Sequence, residues 1–143
     1  ELDLNKLSYE EISEVKQQIA FMKEYRELIQ FGTFYRLKSP FEGNETAWMT
    51  VSEDKKTALV FWYRERNVVN ADFTRVRLQG LDPDLIYRNE YNETENYGDE
   101  LMNLGLLTTD CTAGEPTSED EPCTDYESRI YVLTTVARIP SPL

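Results

Sequence analysis

Residues 28–37, Leu28-Ile29-Gln30-Phe31-Gly32-Thr33-Phe34-Tyr35-Arg36-Leu37, are where this chain changes its period. Before Gly32 the apolar residues Ile12, Val15, Ile19, Met22 and Ile29, with Phe21 and Leu28 beside them, recur at the spacing of one helix face. Glu10, Glu14, Lys16, Gln17, Lys23, Glu24 and Glu27 supply the opposite, solvated face. Ser8 followed three residues later by Glu11 is a capping box, and Leu7 with Ile12 is placed to close a hydrophobic staple. Gly32 is a natural stop. One helix from Ser8 to Gly32 is expected, roughly 35 Å long at 1.5 Å per residue. Its apolar stripe needs a partner, which is either the strands that follow or a body outside these residues.

After Gly32 the period becomes 2. Strands are expected at Thr33–Leu37, Ala47–Val51 and Thr57–Tyr63, the last two forming a hairpin around Glu53-Asp54-Lys55-Lys56. Phe73–Leu78 alternates like a half-buried strand, and Leu85–Arg88, Glu100–Met102 and Arg129–Ala137 read as further strands. Ser39–Asn44 and Leu81–Asp84 are turns. No helix alternates with these strands, so a doubly wound sheet is not expected. The fold class is mainly β: an antiparallel β-sandwich preceded by one long amphipathic helix.

The chain has 143 residues and a net charge of −12, with no histidine. The acidity is uneven: Asp82–Glu127 holds fourteen acidic residues and one basic residue, Arg88. The net charge argues against a phosphate-binding surface, so no nucleic-acid partner is expected. Without histidine, Ser-His and Cys-His nucleophile pairs and imidazole metal sites are excluded. No acidic loop has EF-hand spacing, and no metal or cofactor is expected. No segment is long and apolar enough to span a bilayer, so no membrane partner is expected either. The opening Glu1-Leu2-Asp3-Leu4 reads as the middle of a chain, and a piece of a larger protein is expected.

Cys111 and Cys123 flank a polar, turn-rich stretch with no apolar residue larger than alanine. Such a segment cannot build a core, and a disulfide closing it would stabilise by about 3 kcal/mol in the chain-entropy treatment. Asn44-Glu45-Thr46 and Asn92-Glu93-Thr94 are glycosylation sequons at Asn44 and Asn92. Together these features favour a secreted, extracellular protein over a cytoplasmic one.

Several stretches together resemble the C-terminal end of glycoside hydrolase family 36. They are Glu1-Leu2-Asp3-Leu4, Tyr25-Arg26-Glu27-Leu28-Ile29-Gln30-Phe31-Gly32, Phe34-Tyr35-Arg36-Leu37 and Ser39-Pro40-Phe41-Glu42-Gly43-Asn44-Glu45. Trp48-Met49, Val51-Ser52-Glu53-Asp54-Lys55, Ala58-Leu59-Val60-Phe61, Gly80-Leu81-Asp82-Pro83 and Gly98-Asp99-Glu100-Leu101-Met102 continue the likeness. Thr108–Asp125, with its cysteine loop, departs from it like an insertion. Members are mostly α-galactosidases with an N-terminal β domain, a (β/α)8 barrel and a C-terminal β-sandwich. The resemblance implies that residues 1–32 close the barrel, the helix being its eighth, and that 33–143 form the sandwich. The helix stripe would then lie on the barrel.

The same resemblance implies the chemistry and its location. A retaining glycosidase needs two carboxyls about 5–5.5 Å apart. In this family they are aspartates on earlier barrel strands, so no catalytic residue is expected here. Glu1 and Asp3 would follow the eighth strand and are candidates for the rim of the site. The partners implied are the chain's own barrel and, through the parent enzyme, galactose-containing oligosaccharides, with a homo-oligomer as a further possibility. The alternative is an independent carbohydrate-binding module, in which Trp48, Trp62, Tyr63, Tyr35 and Tyr87 stack on sugar rings.

Overall fold

The computed structural model describes residues 6–66, 74–108 and 125–137. Helix α1 spans Tyr9–Glu24 and α2 spans Arg26–Phe31; β1 is Thr33–Lys38, β2 Glu45–Val51, β3 Thr57–Arg64 and β4 Arg75–Val76. Then come β5 (Ile86–Asn89), β6 (Glu95–Tyr97), α3 (Gly98–Asn103), β7 (Leu106–Leu107) and β8 (Glu127–Thr135). A six-stranded antiparallel sheet has the order β1-β2-β3-β8-β5-β6, and β4 pairs with β7 in a small second ribbon. The result is the expected mainly-β architecture with two very unequal leaves.

Alternation decides which face of the large sheet is core. Ala47, Met49 and Val51 of β2 lie opposite Trp62, Val60 and Ala58 of β3, which in turn face Arg129, Tyr131 and Leu133 of β8. Except for Arg129, all of these are 2 % exposed or less. Val76, Leu78, Leu81, Leu101 and Leu106 complete the cluster from the second layer. Each valine, leucine or methionine among them contributes about 1.5–3 kcal/mol through burial, which makes this cluster the source of the domain's stability.

Tight turns fix the layers. At the β2–β3 hairpin the Asp54 carboxylate accepts from the Ser52 hydroxyl (2.7 Å) and the Lys56 N–H (3.0 Å). Behind it, the Tyr87 hydroxyl donates to the Lys55 carbonyl (2.6 Å) and accepts from the Asp82 N–H (3.0 Å). A single buried phenol thus ties the hairpin to the turn that opens β5.

Two expectations are corrected. The helix is not one rod. At Tyr25 the backbone leaves helical values (φ −98°, ψ 9°), and the ring packs on Phe21 with centroids 4.8 Å apart. Glu100–Met102 is not a strand but part of the short helix α3. A strand would send Leu101 and Met102 to opposite faces, whereas here Leu101 is in the core and Met102 packs against it. The preceding turn is forced, because Gly98 sits so close to the Asp82 carbonyl that a Cβ would lie 2.0 Å from its oxygen. β6 and β7 are additions the sequence did not announce, being three and two residues long.

Candidate functional site

The capping box forms as its residues dictate. The Ser8 hydroxyl accepts from the Glu11 N–H (3.2 Å), and Glu11 accepts from the Ser8 N–H (2.7 Å). The helix so started is 16 residues long and buries none of them. Ile19 is 48 % and Met22 50 % exposed. Ile12 and Val15 are only half-buried. α2 packs against β2, and there a Cβ on Gly32 would lie 2.4 Å from the Leu28 carbonyl oxygen, so no larger residue is admitted. The apolar stripe of α1 is therefore at most half-covered by the described residues.

A second apolar surface lies on the sheet face away from the core. Trp48 stacks on Tyr63 (5.0 Å, 24°) and on Phe61 (5.8 Å, 22°) across β2 and β3. Phe34 of β1 stands on the same face and is 53 % exposed. At its margin a groove of about 600 Å³ opens between β1, the following loop and Trp48.

The aromatics proposed for sugar stacking are thus divided. Trp62 and Tyr87 are in the core, Tyr35 is half-buried against it, and only Trp48 and Tyr63 share the outer face. Those two turn their ring faces to each other.

Among the described residues, the carboxyls whose acidity the fold clearly shifts are Glu11 and Asp54, and both are pushed down. The Ser8 backbone N–H is the main cause for Glu11, and the Ser52 hydroxyl for Asp54. A general acid requires the opposite, a carboxyl raised by an apolar surround. Among the described residues no three His, Cys, Asp or Glu side chains are gathered in a way that could hold a metal. No described helix is long and apolar enough to cross a membrane.

The remaining sequence candidates fall as follows. Glu1 and Asp3 lie outside the described residues, as do Cys111 and Cys123. Asn44 is committed: its side-chain oxygen accepts from the Arg66 N–H (3.0 Å) and its amide donates back to the Arg66 carbonyl. Asn92 is exposed in the β5–β6 turn, and its side-chain oxygen accepts from the Thr94 hydroxyl (2.7 Å) and N–H (3.2 Å). Sequence reasoning named the helix stripe but did not assemble the outer aromatic face, because Phe34, Trp48 and Tyr63 meet only through strand pairing.

Residues 45–133 match the glycosyl hydrolase family 36 C-terminal domain. Over 106 residues the chain is 51 % identical to alpha-galactosidase AgaA of Geobacillus stearothermophilus, covering 74 % of this chain and 14 % of that protein. It is 43 % identical over the same length to alpha-galactosidase Mel36A of Lactobacillus acidophilus, with the same coverage of each. The chain thus spans about a seventh of the length of these relatives. The solved structure of the A355E variant of AgaA in complex with 1-deoxygalactonojirimycin superposes with a TM-score of 0.82 at 42 % identity, over 95 % of this chain and 17 % of that one. The alpha-galactosidase from Lactobacillus brevis superposes with a TM-score of 0.84 at 37 % identity, over 96 % and 18 %.

Proposed function

This chain belongs to the glycosyl hydrolase family 36 C-terminal domain family, and from that premise we propose that it is the non-catalytic closing domain of a retaining α-galactosidase. The parent enzyme would remove terminal α-linked galactose from oligosaccharides by a double displacement, on two carboxyls that lie upstream. Residues 1–32 would belong to the end of the barrel and 33–143 to the sandwich. The observation that carries this reading is α1, a capped helix with an apolar stripe of which no residue is buried by the described part of the chain. A helix of that design is stable only when the stripe is packed, since short isolated helices are marginal in water. The outside of a barrel is such a surface.

Purified as these 143 residues, the protein is expected to show no hydrolysis of an aryl α-galactoside. Turnover above that of a heat-denatured sample would overturn the assignment of catalysis to an upstream body. Saturable binding of galactose or raffinose to the same sample would favour a carbohydrate-binding module instead.

The proposal extends to a secreted parent, in which Cys111 and Cys123 are joined and Asn92 carries a glycan. The support is the polar, core-less sequence between the cysteines and the exposure of the Asn92 turn. Asn44 is a poorer acceptor, because a glycan on its amide nitrogen would disturb the hydrogen bond to Arg66. Peptide mapping of the native protein without reductant is expected to recover Cys111 and Cys123 in one linked species and Asn92 as a glycopeptide. Two free thiols and an unmodified Asn92 would point to the cytoplasm.

A further inference from the structure

At one end of the core two buried N–H groups, Trp62 Nε1 and Arg64 Nε, have no acceptor among the described residues. Trp62 is fully buried and Arg64 is 6 % exposed. They stand two residues apart on β3, so both side chains leave the same face of the sheet. The guanidinium carbon of Arg64 lies 5.4 Å from the indole centroid. Buried donors are almost always paired, and an orphaned one is costly, the more so on a charged group.

The carboxylates beside them are already committed. In the register of the sheet Arg64 lies between Glu45 of β2 and Glu127 of β8. Glu45 is engaged by Lys38 through one oxygen and by the Thr74 hydroxyl (3.0 Å) through the other. Glu127 gives one oxygen to Arg64 Nη2 and the other to Arg129. A carboxylate divided in this way offsets Arg64 only in part and leaves its Nε outside the pair. We propose, independently of the functional reading above, that this corner binds a small monovalent anion of the halide class. Chloride accepts there from the N–H of Arg64 Nε and the N–H of Trp62 Nε1.

The donors select that ion. They come singly from two side chains, not as the parallel fork that suits a carboxylate or a phosphate, and a spherical ion accepts from any direction. A divalent oxyanion is repelled by a chain of net charge −12 more strongly than a monovalent ion is. Salt screens distant charges over about 8–10 Å, whereas the Arg64 guanidinium is in contact with the ion, so the local field favours an anion. The Glu127 and Arg129 side chains are 18 % and 14 % exposed, which places the corner near solvent and lets the ion exchange without unfolding.

The chain has two tryptophans, so its proton–nitrogen correlation spectrum shows two indole N–H signals, which Trp62→Phe assigns. Sodium chloride is titrated against sodium gluconate at constant ionic strength, which holds general screening fixed. The Trp62 signal is expected to move and saturate while the Trp48 signal stays in place. The melting temperature is expected to rise by about 3 °C or more between gluconate and chloride at about 0.5 M, as binding to the folded state alone requires. A Trp62 signal indifferent to chloride overturns the proposal, whether a water or a carboxylate of the chain holds the two donors. Equal, unsaturated movement of both signals overturns it too. Saturable movement with no gain in melting temperature marks an adventitious ion only and also overturns it. Arg64→Lys keeps the charge but removes Nε, and is expected to raise the chloride midpoint about tenfold or more; an unchanged midpoint overturns the proposal. If that variant does not fold, Trp62→Phe decides. Without chloride it loses only an unpaired donor, and with chloride it loses the ion as well. Its chloride-dependent gain in melting temperature should therefore vanish, and a gain retained in full overturns the proposal.

Discussion

Replacing Trp62 with alanine is expected to destabilise this domain by about 3–5 kcal/mol, the cost of deleting a large buried aromatic. Domains of this size are held by about 5–15 kcal/mol in all. The variant should therefore be at or near unfolding at room temperature, as read by urea titration. The argument rests on position. Trp62 is fully buried in the central strand β3, opposite Ala47 on one side and Arg129 on the other. The small alanine across the sheet leaves the space that the indole fills. The guanidiniums of Arg64 and Arg129 lie 5.4 and 6.0 Å from the ring centroid, within range of a cation–π attraction. Both also pair with Glu127, so removing the ring loosens a charged cluster along with the core.

Trp62→Phe sharpens the same test. The indole N–H is buried and makes no hydrogen bond among the described residues. Phenylalanine keeps an aromatic face for the two guanidiniums and removes an unsatisfied donor, which by itself costs about 1–3 kcal/mol to bury. Its penalty should be well below that of alanine. Equal losses for the two variants would mean that the indole nitrogen has a partner and that the packing account of Trp62 is wrong. Trp48→Ala is the contrast: that ring lies on the outer face, and its loss in the 143-residue chain should be much milder.

How far the sequence foretold this fold depended on element length. β2, β3 and β8 were legible because seven to nine residues of alternation leave no doubt about the face turned inward. The capping box was legible because it is written in two residues, Ser8 and Glu11, whose partners are local. β6, β7 and α3 were not, since two to six residues cannot display a period. Leu101-Met102 is the instructive case: two adjacent apolar residues fit a strand or a helix equally well, and only the approach of Gly98 to Asp82 decides. The break at Tyr25 was hidden because the apolar spacing runs through it undisturbed. As for the site, the stripe on α1 followed from periodicity alone. The outer aromatic face did not, because it joins residues of three strands whose register is set by the hairpins.

In the 143-residue chain, hydrogen exchange is expected to divide the molecule sharply. Backbone amides of α1 from Ile12 to Glu24 should exchange within about tenfold of an unprotected chain, because a helix of this length without packing is marginal. Amides of β3 and β8 should open only with global unfolding, so their exchange should be slower by about 10³-fold or more. The contrast arises because both regions are well formed locally yet only one is packed. α1 has its cap, its acidic first turn and Lys23 in its last turn. These local devices are worth about 1 kcal/mol each, too little to hold the helix against fraying. What is missing is the burial of Ile12, Val15, Ile19 and Met22. Exchange in α1 as slow as in β3 would mean that something within this chain covers the stripe, and the helix would lose its meaning as a stave of a larger body. In the full-length protein the same amides should slow toward the values of the sheet. The difference between the two proteins is then a direct measure of how much stability the helix draws from the body it continues.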